Sequence, residues 1–450
     1  MSISKKIYLI AGEPSGDVIG ANLINSVKNS PMRTEEGFEF RGIGGESMGR
    51  AGCDLVCNYD DIALMGFAEI IPSIFRIIKK IRLVVRDIIS YQPDIIITID
   101  SPGFNFRVVR KLRKVGFTKP IVHYVAPTVW AYSPERAETV RKFYDHILVL
   151  FAFETKYFRK MPCTFVGHPL IENDVMLPDP KEETNTEGSS IRNITVMPGS
   201  RVGEIKRHMP AILQTITNMQ DRIAFTSADS TNVNGNLINH YGHNLHWYFL
   251  CHPNTSTMVH KLVQNYAVAH NDKIDISKIF IITDKDLKTK IMANSILGLI
   301  KAGTAVLEAA LMGLPMVTFY KINPLSAWFL KRKLKVPYFT LCNILLNRSL
   351  IPELIQDGCT ADNMVRLLEG LLTDEKARKA QLDGFKNIIL RTNEMEEHER
   401  EKVMSISNKD SNKEKSMMQA KKPSEIASDV ILHIMNSPNH LDAQRPRDRG

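Results

Sequence analysis

The sequence predicts an α/β protein of two αβα domains, and three observations carry that expectation. Short apolar runs alternate with amphipathic stretches through the first third of the chain, as in parallel βαβ units covered on both faces. The same alternation restarts after "PDPKEETNTEGSSIR" (178–192), which is polar, rich in turn formers and reads as a linker. The 450 residues also exceed one ordinary core, since domains run to roughly 100–200 residues. The expected division is 1–177, the linker 178–192, and 193–390. A charged, flexible insertion follows at 391–423, then an amphipathic helix at 424–436 that joins the first domain, then a disordered tail at 437–450. Two such domains facing each other form a cleft, where ligands usually sit.

In chain order, the strands expected in the first domain are "KIYLIAG", "EFRGIGG", "PDIIITID", "KPIVHYVAP" and "HILVLFAFE". Helices are expected between them, for example over Gly16–Lys28 and Ser73–Ser90. In the second domain the expected strands are "NITVMPGSR", "RIAFTSAD", "WYFLCHP", "KIFIITD", "SILGLIKAGT" and "PMVTFYK". "DSTNVNGNLINHYGHNLH" (229–246) reads as a surface loop, because Asn and Gly dominate and no acidic ligand accompanies His240, His243 and His246.

Composition narrows the function. The chain is 44% hydrophobic and 24% charged, as in soluble globular proteins. The six cysteines lack zinc-type spacing and read as reduced thiols. The apolar run after Lys5-Lys6 stops at Gly12-Glu13, too short for a signal peptide, and no stretch is long enough to span a bilayer. A cytoplasmic protein touching membrane only from its surface is expected. The net charge of +9 suits nucleic acid, an anionic membrane or phosphorylated small molecules. No nucleic-acid signature is present, so no nucleic-acid partner is expected.

Four clusters could carry chemistry. In "PDIIITIDSPGFN", Asp100 ends a strand beside a Pro-Gly turn, at the sheet edge that faces ligands. With Asn105 nearby it is a candidate general base; the alternative is that Asp100 caps the following helix. In "MPGSRVGEI", Ser200 and Arg201 stand at a helix start, where amides, a hydroxyl and a guanidinium suit a phosphate. In "KAGTAVLEAALMGLPMVTFYK", Gly303, Thr304 and Ala305 open a helix that could hold a diphosphate, Lys301 adds a cation, and Glu308 lies one turn on, where it can accept both hydroxyls of a ribose. The helix "SIFRIIKKIRLVVRDII" is expected to gather Ile74, Ile77, Ile78, Ile81, Val84, Val85, Ile88 and Ile89 on one face. Phe75, Arg76, Lys79, Lys80 and Arg82 would then offer an anionic lipid surface an apolar and basic flank; the alternative is a buried helix with a solvated back. No H-E-x-x-H motif and no EF-hand loop is present, which favours a metal-independent reaction.

"AGEPSGD", "IDSPGFN", "HYVAPTVWAY", "FVGHP", "MPGSRVGEI" and "AGTAVLEAALMGLPMV" follow one another from Ala11 to Val317. In that order they resemble the lipid-A-disaccharide synthases. The resemblance implies two Rossmann-like domains in the GT-B arrangement, and an inverting glycosyltransferase needing no cofactor. It would join UDP-2,3-diacylglucosamine to 2,3-diacylglucosamine 1-phosphate (lipid X) at the inner face of the cytoplasmic membrane, forming a β(1→6) disaccharide and UDP. It also implies that Asn343 faces the nucleotide-sugar and that Glu13, Ser15, Asp17 and Asn105 line the acceptor side. The sequence departs from the family pattern at Tyr132, Cys342 and Asn347. An oligomer is compatible with the sequence. Two rivals stay open: another UDP-N-acetylglucosamine enzyme, such as an epimerase or a MurG-like transferase, and a non-catalytic nucleotide-sugar binder at the membrane.

Overall fold

The computed structural model describes residues 4–32, 37–59, 70–132, 135–172, 191–228, 244–271, 273–323, 327, 336–393 and 421–436. It divides into two compact units, one of Met1–Asp174 with Thr392–Gly450 and one of Val175–Arg391. Most of the expected linker, the insertion, His240, His243 and the tail lie outside the described residues, as do the side chains of Ile74, Phe75 and Arg76.

The first unit is built on a seven-stranded sheet in the order β3-β2-β1-β4-β5-β6-β7. Its strands are β1 (Lys5–Ala11), β2 (Phe38–Gly44), β3 (Cys53–Asn58), β4 (Ile95–Ile99), β5 (Ile121–Tyr124), β6 (His146–Val149) and β7 (Cys163–Phe165). All are parallel. Its helices are α1 (Pro14–Asn29), α2 (Glu46–Arg50), α3 (Ile70–Tyr91), α4 (Pro102–Lys114), α5 (Val129–Tyr132) and α6 (Arg136–Arg141). The central strands are runs of Ile, Leu and Tyr because helices cover both faces; Ile7, Tyr8, Leu9, Ile10, Ile95 and Ile96 are wholly buried. β1 and β4 pair from Ile7 with Ile95 to Ala11 with Ile99, so the turns after them lie side by side.

The second unit repeats the plan with six parallel strands ordered β10-β9-β8-β11-β12-β13. They are β8 (Ile191–Met197), β9 (Asn244–Leu250), β10 (Ile279–Ile282), β11 (Leu297–Lys301), β12 (Met316–Tyr320) and β13 (Glu353–Ile355). The helices are α7 (Val202–Ala228), α8 (Pro253–Ala269), α9 (Lys285–Asn294), α10 (Thr304–Leu311), α11 (Leu341–Leu346), α12 (Ala361–Thr373) and α13 (Glu375–Asn393). β8 pairs with β11, Met197 opposite Ile300, which again sets two turns side by side. The core of this unit gathers Trp247, Phe249, Ile212, Val317, Phe319 and Met364.

Three expectations change. "RIAFTSAD" is not a strand: the backbone stays helical to Ala228 within α7. A short apolar run cannot be told from helix by periodicity, and no Gly or Pro stands between Pro210 and Ala228 to stop the helix. His246 lies in β9 rather than in a loop, with its ring 5.2 Å from that of Phe280. On α3, Ile81, Val84, Val85 and Ile88 are buried as expected, whereas Ile78 and Ile89 are exposed together with Leu83.

The last helix, α14 (Pro423–Asn436), packs on α1. Ile426, Ala427, Val430, Ile431 and Leu432 are buried. Ser26 Oγ donates to Ser424 Oγ at 2.8 Å, and Glu172 accepts from Asn22 Nδ2 at 2.8 Å and from Ser424 N.

Candidate active site

In an open parallel sheet, ligands bind beyond the carboxyl ends of the strands where the strand order reverses. In the first unit that point lies between β1 and β4, where the turns after Ala11 and Ile99 meet. Asp100 and Ser101 take left-handed backbone angles, φ 47° and 43°. Two consecutive non-glycine residues there store strain of the sort found at functional sites. Asn105 holds the turn: its buried amide donates to Ile99 O at 3.2 Å and Asp100 O at 2.7 Å. Gly12 lets the two turns touch, since a Cβ there would fall 2.6 Å from Ser101 Oγ. Val125, at the end of β5, is also left-handed at φ 70°, and Tyr124 O accepts from Asp100 N at 2.9 Å.

Burial raises the Asp100 carboxyl above the ordinary aspartate range, against the opposing pull of the Ser101 N–H. The helix-cap alternative fails: the N-cap of α4 is Ser101, and no side-chain cap bond forms. Asp100 is thus a half-buried carboxyl at a strained strand end. Glu13 and Ser15 are exposed beside it at the start of α1.

Asp17 departs from its expected place. Its side chain is buried and accepts backbone N–H groups of Gly45 at 2.6 Å, Ser47 at 2.9 Å and Met48 at 3.1 Å. Those amides open α2, so Asp17 ties α1 to the turn after β2 instead of presenting oxygens to a ligand. Asn105, equally buried, also acts on the backbone.

In the second unit the order reverses between β8 and β11. Ser200 and Arg201 are exposed on the turn after β8. Gly303 and Thr304 are exposed at the start of α10, with Ala305 behind them. The free amides of such a start favour anions. Glu308 is half-buried on α10; burial raises its carboxyl, and Lys288 and Lys285 of α9 oppose the shift.

Asn343 also differs from its expectation. It is buried, donating to Ile351 O and Glu353 Oε1 at 2.8 Å each and accepting from Leu350 N and Ile351 N at 2.9 Å each. Its side-chain polar atoms serve the loop from α11 to β13 and Glu353, which also holds the start of α11 through Phe339 N and Thr340 N.

Three buried groups have no counterpart in the sequence reading. Glu154 accepts from Trp130 Nε1 at 3.0 Å and from Leu150 N and Phe151 N, and burial pushes it up to about 7. "PTVWAY" therefore docks through its tryptophan on a carboxyl of the 3-10 helix Ala152–Tyr157 that follows β6. Glu204 and His208, on α7, lie beneath the turn after β8. Their distance in sequence from their partners hides all three.

Two doubly wound parallel sheets in one chain, each with a built turn at its switch point, define the GT-B class of two Rossmann-like domains. Comparison with solved structures agrees on the fold. An S. aureus MnaA–UDP co-structure superposes with a TM-score of 0.56 at 14% identity, covering 99% of this chain and 100% of that one. UDP-GlcNAc 2-epimerase from Neisseria meningitidis bound to UDP-GlcNAc gives 0.51 at 11% identity, covering 85% and 98%. Sequence comparison is more specific. The profile of the lipid-A-disaccharide synthetase family matches residues 7–233 and 252–407. Lipid-A-disaccharide synthase of Rhodospirillum centenum is 35% identical over 85% of this chain and 88% of its own. That of Rickettsia prowazekii is 35% identical over 86% and 93%. The chain belongs to the lipid-A-disaccharide synthase family. It is a glycosyltransferase of lipid A biosynthesis.

Proposed function

We propose that the enzyme condenses UDP-2,3-diacylglucosamine with 2,3-diacylglucosamine 1-phosphate, and that Asp100 is its general base. The carboxylate takes the proton of the acceptor 6-hydroxyl as that oxygen attacks the anomeric carbon of the donor. The bond from that carbon to the diphosphate breaks, and UDP departs with its electron pair. One direct displacement inverts the anomeric centre and yields the β linkage. A nucleoside diphosphate leaves as an anion, so cations and amides assist it without a proton. A single base suffices, unlike the carboxyl pair of glycosidases.

The observation that carries this reading is the raised, half-buried carboxyl of Asp100 on a strained strand end. In the reaction so drawn, the first unit takes the acceptor, with Glu13 and Ser15 toward its hydroxyls and Asp17 and Asn105 holding their turns. The second takes the nucleotide-sugar: Ser200, Arg201, Gly303, Thr304 and Ala305 at the diphosphate, Glu308 at the ribose, and Asn343 supporting the loop beside them.

Surface contact with an anionic membrane completes the reading. Among the described residues no helix is long and apolar enough to cross a membrane. The supporting feature is α3, which exposes Ile78, Leu83 and Ile89 beside Lys79 and Arg82. Acylated substrates would be met at such a surface.

Mass spectrometry of products from the purified protein with both acylated sugars tests the reaction. A disaccharide 1-phosphate and UDP are expected. Turnover of non-acylated UDP-N-acetylglucosamine alone, with no disaccharide, would favour an epimerase. Binding without turnover would favour a non-catalytic role.

A further inference from the structure

Beneath the switch point of the second unit lies a buried carboxylate between two cations from different turns. Glu204, on the first turn of α7, has a side chain only 5% exposed. Its Oε1 stands 3.4 Å from Lys301 Nζ, at the end of β11, and 4.0 Å from Arg201 Nη1, on the turn after β8. Its Oε2 is buried and has no hydrogen-bond partner among the described residues. Gly199 makes room for that oxygen: at φ 124°, a Cβ there would lie 3.0 Å from Oε2.

The cations differ in freedom. Arg201 is 74% exposed and Lys301 19%. The Lys301 ammonium lies 4.9 Å from the centre of the Tyr320 ring, and a Cβ on Gly303 would lie 3.5 Å from it. It therefore sits against the glycine that precedes α10. Burial lowers the Lys301 ammonium, and Glu204 opposes that shift. His208 braces the same corner: its Nδ1 meets Pro198 O at 2.8 Å and its Nε2 accepts from Lys321 N at 3.0 Å. A buried carboxylate with one oxygen unsatisfied is a poor device for stability. It is an effective device for holding two cations at a set separation.

We propose that Glu204 is a positioning residue of the donor site, holding Lys301 and Arg201 so that both meet one diphosphate, and that Lys301 itself contacts that diphosphate. The inference rests on the reading that the second unit binds a nucleoside diphosphate.

The test uses the full-length protein and calorimetric titration with UDP and, separately, uridine. Loss of one charge-assisted contact predicts that Lys301→Gln weakens UDP about 10- to 30-fold and leaves uridine unchanged, while Lys301→Arg retains most of the UDP affinity. Glu204→Gln should weaken UDP by about 5- to 10-fold with the same indifference to uridine. The double variant should lose less than the product of the two single losses, because both act through one ammonium. Unchanged UDP affinity in Lys301→Gln overturns the contact. Equal losses for UDP and uridine in Glu204→Gln overturn the positioning role and leave a structural one. Should Glu204→Gln fail to fold, the Lys301→Gln and Lys301→Arg pair decides the contact alone, and Glu204→Asp titrated against both ligands decides the positioning. If the unaltered protein binds no UDP, the donor-site reading itself falls; if it binds and the variants do not differ, only this inference does.

Discussion

The two units share a strand order around their central pair, β2-β1-β4-β5 in one and β9-β8-β11-β12 in the other. At that pair their turns diverge in charge and in backbone. The first unit places Glu13 and Asp100 there, on a turn with two left-handed non-glycine residues. The second places Arg201 and Lys301 there, and its left-handed residue is Gly199. One frame thus serves two electrostatic tasks: a carboxylate that can take a proton, and cations with helix amides that can hold an anion. The frame decides where chemistry can occur, and the residues of the turns decide which chemistry.

The largest test of that contrast is Asp100→Asn, which keeps size and removes the base. The turnover number should fall by about 10²- to 10⁴-fold, with circular dichroism and UDP affinity unchanged. Retention of near-full activity would end the assignment. The pH profile sharpens it. A general base works deprotonated, and burial raises the Asp100 pKa. The rate should therefore climb with pH along a limb lying above the usual aspartate value of about 4, and Asp100→Asn should lose that limb.

A second contrast lies within the first unit, where the acidic turn shares a domain with the basic flank of α3. Lys79, Lys80 and Arg82 changed together to Gln should weaken binding to anionic vesicles by about 1 kcal/mol per charge. Constant vesicle affinity would assign α3 to packing alone. Next comes Arg201→Ala in the second unit, expected to lower kcat/KM for the donor by about 10- to 100-fold while sparing uridine binding. An equal loss in uridine affinity would mean that the turn itself has moved.

The smallest effect separates two roles for Asp17. Asp17→Asn should cost about 1–3 kcal/mol of stability, because the replacement amide puts a donor against backbone N–H groups. A lowered Tm with the kinetic constants of the folded fraction unchanged fits its bonds to Gly45, Ser47 and Met48. An unchanged Tm with a raised KM for the acceptor would return Asp17 to the ligand.

The turns that carry the contrast were legible in the sequence for a physical reason. β1, β4, β8 and β11 are apolar runs stopped by Gly, Pro or Asp, and a buried parallel strand writes itself that way. β7 and β13, three residues each at the sheet edges, leave no such trace. The polar groups were legible only in part. Asp100 sits where its strand ends, so local sequence locates it. Asp17 and Asn343 look like ligand contacts because they lie in the first turn of a helix, and burial turns both inward. Glu204, Glu154 and Glu353 read as ordinary acids until the sheet brings Lys301, Trp130 and Thr340 against them. Long-range pairing, rather than residue type, assigns those carboxylates.

The return of α14 onto α1 bears on the order in which the protein can be made. The second unit is one uninterrupted segment, Val175–Arg391, and every strand of its sheet is available before α14 is synthesised. The first unit, begun earlier, must wait. Until Pro423–Asn436 emerges from the ribosome, the face of α1 that contacts Ser424 and the buried side of α14 has no cover, and the Glu172 carboxyl lacks its Ser424 donor. The half that is translated first is therefore the half that is completed last, and its nascent form is the one most exposed to aggregation and proteolysis.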